Sequence, residues 1–309
     1  MFFIGPNAKG WWQMKLSSSS WMSQFQDRRL YDVLIPGTHD SGTEGYAVGW
    51  LSRTQYYKIS EQLRDGVRFL DMRLTYNAAE ENFHVVHAAD QVSYLNFDTV
   101  VKWCADFLAE HPTETILMSI KQEGADPTSD DKFARRLDAW HTAHVDDDDW
   151  RKRIWYVKGN YVPTIKEAAG RIVLLKRYVV AQGDSDGPIF HQGLSLAKIN
   201  THKEGSFQIA PGVVCSFQDE YEKEGDAKKK EIAQMLAKMD DNTDGDTHRW
   251  YINFASTAKP GPLRAADEIN PWLEGQLGFL PGPRYGVILT DYAQPELWRK
   301  IFEVNLRSR

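Results

Sequence analysis

The sequence predicts an α/β protein built as a distorted TIM-type (β/α)8 barrel from which at least one helix is missing. Two observations lead to this fold class. Eight short apolar stretches have the composition of strands that are buried on both faces. Several of them are separated by amphipathic stretches of helical period. Apolar strands that alternate with helices favour a parallel sheet, and eight of them suggest a closed barrel.

The first predicted strand is Val33–Ile35, which Pro36 and Gly37 end. The other seven, in chain order, are Val67–Leu74, Phe83–His87, Thr115–Lys121, Arg171–Tyr178, Val213–Asp219, Trp250–Ala255 and Tyr285–Asp291. The link between Leu74 and Phe83 has the length of a hairpin, too short for a crossover helix. Residues 179–205 show no helical period. These two departures are the reason to expect a distorted barrel.

The helices are predicted from apolar periodicity and from end signals. They cover Gln55–Arg64, a stretch from Asn96 or Asp98 to before Pro112, Lys132–His141, a stretch from Asp226 through Met239, Ala266–Leu277 and Pro295–Leu306. Asp226 is expected to be an N-cap, because its carboxylate can accept free backbone N–H groups. We expect residues 1–309 to form a single catalytic barrel domain, on which the aromatic-rich residues 1–30 pack as an extension.

Composition narrows the class of protein. The chain has 309 residues, 42% of them hydrophobic, which is enough for a sizeable core. Its net charge of −6 argues against a general nucleic-acid binder, which needs a basic face. The two cysteines, Cys104 and Cys215, lie in apolar stretches and are expected to be buried free thiols. Because the sequence has no apolar run of about eighteen residues, we expect no membrane span.

Polar side chains follow the predicted strands at their carboxyl ends, which in a barrel meet at one mouth. They are His39, Asp40, Asp71, Arg73, His87, Lys121, Glu123, Arg177, Asp219, Tyr221 and Asp291. Two imidazoles can divide the duties of general base and general acid near neutral pH. An arginine between them can hold a phosphoryl group through its planar fork. This set suits phosphodiester cleavage without a metal, and the remaining cations, carboxylates and tyrosine suit a polyhydroxyl group.

Taken together, seven stretches resemble the bacterial-type phosphatidylinositol-specific phospholipases C, in order from about residue 20 to the C-terminus. They are Leu34–Gly42, Phe69–Arg73, Pro112–Lys121, Ile172–Tyr178, Phe217–Tyr221, Tyr251–Phe254 and Asp291–Tyr292. The resemblance implies cleavage of phosphatidylinositol to diacylglycerol and inositol 1,2-cyclic phosphate, by attack of the inositol 2-hydroxyl on phosphorus.

The resemblance also implies the roles of individual residues. His39 is the general base on the 2-hydroxyl, oriented by Asp291, and His87 is the general acid to the diacylglycerol oxygen. Arg73 binds the phosphoryl group, with Asp40 beside it and Asp71 in support. The positions that match inositol contacts in the family are Lys121, Arg177, Asp219 and Tyr221.

The sequence departs from the family pattern at the second catalytic histidine. The family usually has Gly directly after it, whereas this chain has Ala88, and a further histidine, His84, lies three residues before His87. We expect His84 to be structural, because the two side chains fall on different faces of a strand. Calcium-dependent relatives have carboxylate ligands at the position of Arg73. No metal and no other cofactor is therefore expected.

The resemblance implies a peripheral membrane contact, since the substrate is phosphatidylinositol in membranes or micelles. Trp50 and Leu51, near Tyr46 and Val48, are expected to form an apolar rim with Pro260–Leu263, although local packing stays open as an alternative. We expect a monomer that binds no nucleic acid. Secretion is expected from the family, and a cytoplasmic location stays open because the opening Met-Phe-Phe-Ile is too short for a leader's apolar region.

Two other functions stay open at this point. One is a metal-dependent glycerophosphodiester phosphodiesterase on the same barrel, which would need clustered acidic ligands. The other is a non-catalytic module that binds inositol lipids. The sequence also leaves open whether the target is free phosphatidylinositol or a glycosyl-phosphatidylinositol anchor.

Overall fold

Strands and helices alternate through most of the chain. The computed structural model describes residues 2–4, 13–44, 52–87, 91–123, 131–143, 153–158, 160–180 and 187–307. The strands are β1 (Phe2–Ile4), β2 (Gln13–Lys15), β3 (Leu34–Thr38), β4 (Phe69–Asn77), β5 (Asn82–His87), β6 (Gln91–Asn96), β7 (Ile116–Gln122), β8 (Trp155–Tyr156), β9 (Ile172–Arg177), β10 (Leu194–Ser195), β11 (Glu204–Ala210), β12 (Val213–Gln218), β13 (Thr243–Asp244), β14 (Thr247–Phe254) and β15 (Gly286–Thr290). The α-helices are α1 (Ile59–Arg64), α2 (Phe97–Glu110), α3 (Lys132–Ala143), α4 (Ile165–Ala168), α5 (Gly225–Lys238), α6 (Pro262–Phe279) and α7 (Pro295–Glu303). Short 3-10 turns cover Ser18–Gln24, Leu30–Asp32, Ile189–His191, Ala197–Asn200 and Val304–Leu306.

One curled sheet of parallel strands forms the body of the protein. Its strand order is β10-β9-β7-β4-β3-β15-β14-β12, and β11 pairs antiparallel with β12 at one end. The last parallel strand along the chain, β15, lies beside the first, β3, with Thr290 opposite Thr38. The two ends of the sheet, β10 and β11, lie against each other, and the described residues form no ladder between them. The predicted distorted α/β barrel is therefore confirmed.

Two details of the predicted barrel were wrong. Phe83–His87 was counted among the eight barrel strands, but β5 pairs antiparallel with β4 and β6 and belongs to a hairpin that extends β4. The eighth parallel strand is instead β10, within residues 179–205. That strand has only two residues and was too short to give a pattern. The expected missing helix falls in this part of the barrel, because the described residues 187–203 between β9 and β11 contain 3-10 turns and β10 but no α-helix.

The start of α5 also differs from the prediction. The helix begins at Gly225, whose φ of 50° turns the chain one residue before Asp226. Glu224 is the N-cap residue, and its side chain makes no capping hydrogen bond. Asp226 therefore lies in the first turn, where a carboxylate still interacts favourably with the helix dipole.

Alternate residues of the strands fill two apolar layers. Ile35 and Phe69 belong to a cluster inside the barrel, whereas Leu34 and Leu70 belong to a cluster that includes the apolar faces of the helices. The alternation follows from the twofold period of a strand. Among the described helices, none is both long and apolar enough to cross a bilayer.

A buried ion pair anchors the N-terminal segment to the barrel. Two guanidinium nitrogens of Arg68 lie 2.9 and 2.7 Å from Oε2 of Glu114, and neither side chain is exposed to solvent. The Glu114 carboxylate also accepts the backbone N–H groups of Met22 and Ser23. Trp21 stacks on Phe302 and donates its indole N–H to a main-chain carbonyl. The segment is thus fixed by charge as well as by packing.

Replacement of Glu114 by alanine is expected to lower the free energy of unfolding by about 3–5 kcal/mol, because it leaves the buried Arg68 charge without a partner. Denaturant titration measures the change. The control is Asp106→Ala, which removes the partner of Lys102 from an exposed pair of the same 2.7 Å length. That variant is expected to lose less than about 1 kcal/mol. Equal losses in the two variants would contradict the assignment.

Candidate active site

The turn after β3 is held tightly against β4. A Cβ atom on Gly37 would lie 3.0 Å from the Cβ of Phe69, so any side chain there would be tightly crowded against β4. Asp40 has a φ of 44°, a left-handed conformation that Asp tolerates better than most residues. Ser41 makes two hydrogen bonds with the backbone of Asp71. The Ser41 N–H donates to the Asp71 carbonyl at 3.0 Å, and the Ser41 Oγ accepts the Asp71 N–H at 2.8 Å. The turn therefore places the side chains at positions 39 and 40 beside β4.

His39 is held at both ring nitrogens. Its Nδ1 lies 2.9 Å from Oδ1 of Asp291, and its Nε2 lies 2.6 Å from a terminal guanidinium nitrogen of Arg73. Asp291 follows β15, whose Thr290 carbonyl accepts the His39 backbone N–H. Because a guanidinium only donates, the contact with Arg73 fits a ring that is protonated at Nδ1 and free at Nε2. This is the tautomer that a general base needs.

The charges around His39 raise its pKa. Burial lowers the pKa, but the carboxylates of Asp40 and Asp291 outweigh this effect and raise it from 6.5 to about 9. Protonation at Nε2 requires the guanidinium of Arg73 to move away, because two donors then face each other. The protonation state of His39 and the position of Arg73 are therefore coupled.

Asp40 is the centre of the site. Its carboxylate contacts the Nε of Arg73, lies 3.0 Å from Nε2 of His87 and lies 3.6 Å from Nε2 of His39. Burial alone would raise its pKa, but the neighbouring guanidinium and the two imidazoles hold the pKa well below its usual range. One buried carboxylate thus links both histidines and the arginine.

The β4–β5 hairpin brings His87 to this point. Val85 pairs with Leu74, so the same register brings His87, two residues further, to the level of Met72, the neighbour of Arg73. His84 instead lies 2.8 Å from Glu80 in the same hairpin. The structure therefore places His87, and not His84, next to Asp40.

A row of alternating charges continues along the sheet from Arg73. The guanidinium lies 3.5 Å from Glu123, whose carboxylate is 3.0 Å from Nζ of Lys121. Asp71 lies 3.6 Å from Nε of Arg73 and accepts a 3.0 Å hydrogen bond from Arg177. Burial and the nearby guanidinium of Arg73 lower the pKa of Lys121. At Asp71, burial alone would raise the pKa, but the guanidinium groups of Arg177 and Arg73 outweigh it and lower the pKa.

These side chains surround an open cavity of about 310 Å³. It is lined by His39, Arg73, His87, Lys121, Arg177, Ile199, Asn200, Asp219, Tyr221, Thr257, Ala258, Pro262 and Asp291. Of the predicted site residues, Asp40 and Asp71 lie buried behind this lining. Tyr221 stands at the mouth with its side chain half exposed, and Lys203 lies over its ring. The predicted rim residues Trp50 and Leu51, their neighbours Tyr46 and Val48, and Ala88 lie outside the described residues.

Four residues of the lining were not predicted: Ile199, Asn200, Thr257 and Ala258. Asn200 accepts a 2.9 Å hydrogen bond from Arg177 and comes from the region without a helical period. Thr257 and Ala258 hold the backbone carbonyl of Tyr221 from the loop after β14. Loop residues carry no periodic signal, and only the tertiary structure shows where they lie.

The fold and the site define a class: an α/β barrel whose mouth holds two histidines and an arginine around one buried carboxylate. The family described as "Phosphatidylinositol-specific phospholipase C, X domain" matches residues 35–178. A 1-phosphatidylinositol phosphodiesterase of Staphylococcus aureus is 30% identical over 297 residues, which cover 90% of this chain and 89% of that protein. The enzyme of the same name from Listeria monocytogenes is 29% identical and covers 94% of this chain and 86% of that protein.

The solved structures agree on the fold. A mutant phosphatidylinositol-specific phospholipase C from S. aureus superimposes with a TM-score of 0.79 at 24% identity, over 95% of this chain and 98% of that chain. The chain belongs to the phosphatidylinositol-specific phospholipase C family. The family predicted from the sequence motifs is thereby confirmed.

Titration of the His39 ring by NMR is expected to give a midpoint near 9. The Asp291→Asn variant is expected to titrate at lower pH, because it loses one of the two carboxylates that favour the imidazolium. Since the pKa in the folded protein lies above the unfolded value, the stabilising contribution of His39 is full below about pH 6.5. It is lost as the pH rises through about 9. An unchanged midpoint in Asp291→Asn would contradict the assigned contact.

Proposed function

We propose that this protein cleaves phosphatidylinositol to diacylglycerol and inositol 1,2-cyclic phosphate. The observation that carries the proposal is the placement of His39, His87 and Arg73 around the single carboxylate of Asp40 at the cavity. Two proton-transfer groups and one phosphate-binding group are then within reach of one phosphodiester. The proposal agrees with the name 1-phosphatidylinositol phosphodiesterase that the relatives from S. aureus and L. monocytogenes carry.

In this mechanism, the neutral form of His39 acts: its free Nε2 takes the proton of the inositol 2-hydroxyl, while Asp291 holds the ring through Nδ1. The freed oxygen attacks phosphorus, and the bond between phosphorus and the diacylglycerol oxygen breaks. His87 gives a proton to that leaving oxygen. Arg73 stabilises the negative charge that develops on the phosphoryl oxygens. The total number of protons on the two histidines is unchanged, because His39 gains one proton from the 2-hydroxyl and His87 loses one to the leaving oxygen.

The remaining polar residues suit the inositol ring. Lys121 and Arg177 donate hydrogen bonds, Asp219 accepts them, and the exposed ring of Tyr221 can cover the flat face of the polyol. Asp71 acts from behind the cavity by holding Arg177. These are the groups expected to distinguish inositol from a smaller head group.

The proposed reaction needs no metal. His39, Asp40 and Asp71 have ligand atoms within 4.8 Å of one another, which would otherwise suit a cation. However, the guanidinium of Arg73 already lies against both carboxylates of this group. A divalent cation at the same place would meet strong charge repulsion.

The test is phosphorus NMR of phosphatidylinositol vesicles incubated with the protein and a chelator. We expect a cyclic phosphodiester signal in the presence of chelator. His39→Ala and His87→Ala are each expected to lower the rate by at least about 100-fold, because each removes a proton-transfer group. His84→Ala, the matched control from the same hairpin as His87, is expected to keep its rate.

Three outcomes would overturn parts of the proposal. Loss of turnover on chelation would favour the metal-dependent glycerophosphodiesterase. Binding of vesicles with no turnover by the wild-type protein would favour a non-catalytic lipid-binding module. Wild-type turnover by either histidine variant would contradict the mechanism.

The proposal includes a peripheral membrane contact and a monomer. Leu263, in the first turn of α6, is 43% exposed and follows Pro262, which lines the cavity. Tyr56 and Tyr221 are further exposed rings, the second of them at the cavity. Apolar side chains at a mouth can enter the lipid interface while the head group reaches the site. The monomer and secretion both stay predictions from the family.

Leu263→Asp is expected to lower turnover of phosphatidylinositol in vesicles several-fold, because a charge opposes insertion into the interface. Turnover of a dispersed short-chain substrate is expected to stay unchanged. The control is Phe279→Asp at the other end of the same helix, where the side chain is 88% exposed. Similar losses on both substrates would contradict the interfacial role.

A further inference from the structure

Lys228 is a buried lysine behind the wall of the cavity. It lies in the first turn of α5, and its side chain has no exposure to solvent. Within the described chain, its ammonium group makes one hydrogen bond, of 3.3 Å, to Oε1 of Gln218. Gln218 is the last residue of β12 and directly precedes Asp219 of the cavity. Lys228 therefore contacts the residue next to Asp219, and does not itself line the cavity.

Gln218 joins the elements that form this wall. Its Nε2 donates to the main-chain carbonyl of Phe254, at 2.7 Å, and to the side chain of Asn253. Its Oε1 also accepts the backbone N–H of Glu220, at 3.2 Å. The end of β12, the end of β14 and the turn that presents Asp219 are thus fixed through one amide. Lys228 connects this amide to α5.

Burial of Lys228 costs free energy, because its ammonium group loses its hydration. An ammonium group removed from water needs nearby negative charge. The carboxylates that stabilise it are first Asp219 and then Asp291, and more weakly Glu220 and Glu231. Burial outweighs them and lowers the pKa of Lys228 to about 8, so the group stays charged at neutral pH. The two carboxylates with the largest effect on Lys228 are the ones that line the cavity.

We propose that Lys228 is a positioning residue of the active site, whose buried ammonium group orients Gln218 and interacts electrostatically with the carboxylates of Asp219 and Asp291. It acts through these residues and does not touch the substrate. This inference rests on the proposed function for its kinetic consequences.

Lys176 provides the comparison. It is also a buried lysine on the helix side of the sheet, and burial lowers its pKa to about 8 as well. Its ammonium group donates to the main-chain carbonyl of His191, at 2.7 Å. Loss of either lysine removes a buried cation, but only Lys228 has the carboxylates of the cavity as its main stabilising charges.

The experiment compares Lys228→Met with Lys176→Met, since methionine keeps most of the volume and removes the charge. With phosphatidylinositol in detergent micelles, Lys228→Met is expected to raise KM about tenfold, as for a lost hydrogen bond to a charged group. The acidic limb of its pH profile is expected to move to higher pH, because carboxylates that lose a neighbouring cation bind protons more easily. Lys176→Met is expected to change neither quantity.

A second readout does not depend on turnover. The carboxyl carbon of Asp291, followed by NMR, is expected to titrate at higher pH in Lys228→Met than in the wild-type protein, and at an unchanged pH in Lys176→Met. A folded Lys228→Met protein with wild-type KM, pH profile and Asp291 titration would overturn the inference. An inactive wild-type protein would overturn the proposed function, and the Asp291 titration would still decide the role of Lys228.

Discussion

The contact between Asp40 and Arg73 is the interaction on which the site depends. Both side chains are withdrawn from solvent, and a buried charge without a partner is strongly destabilising. The carboxylate also holds His87 and approaches His39, so one anion gathers groups from β3, β4 and β5. The backbone at Asp40, which carries this carboxylate, has a left-handed conformation. Its conformational cost is offset by contacts that form only in the folded chain.

The pairing of β3 with β15 supports this arrangement. The strands are far apart along the chain, and their pairing places Asp291 beside His39. The start of β3 is satisfied by Asn305, whose side chain accepts the backbone N–H of Leu34 at 2.7 Å and donates to its carbonyl at 2.8 Å. The C-terminal segment thus completes the hydrogen bonding of the strand that carries the catalytic turn. Geometry at His39 therefore depends on the whole barrel being formed.

Much of this could be predicted from the sequence, because apolar strands and the charges at their ends are local signals. The antiparallel direction of β5 was missed, because it depends on how a hairpin pairs. The sequence did not reveal β10, because this strand has only two residues. It did not reveal β11 either, because several residues of that strand are polar and exposed. Lys228 lies in a run of three lysines that has the composition of a solvated helix face. Only the packing of α5 shows that the first of the three points inward.

The balance of charge around the cavity determines which form of His39 is present in the free protein. The carboxylates in and behind the lining are Asp40, Asp71, Glu123, Asp219 and Asp291. The permanent cations are Arg73, Lys121, Arg177 and, from behind the wall, Lys228. These five carboxylates exceed the four cations by one charge, and a single imidazolium compensates for it. Protonation of both histidines would leave an excess positive charge, and protonation of neither would leave a negative one. The carboxylates of Asp40 and Asp291 favour the imidazolium form of His39, whose pKa they raise to about 9. His39 must therefore lose this proton before it can act as the general base on the inositol 2-hydroxyl.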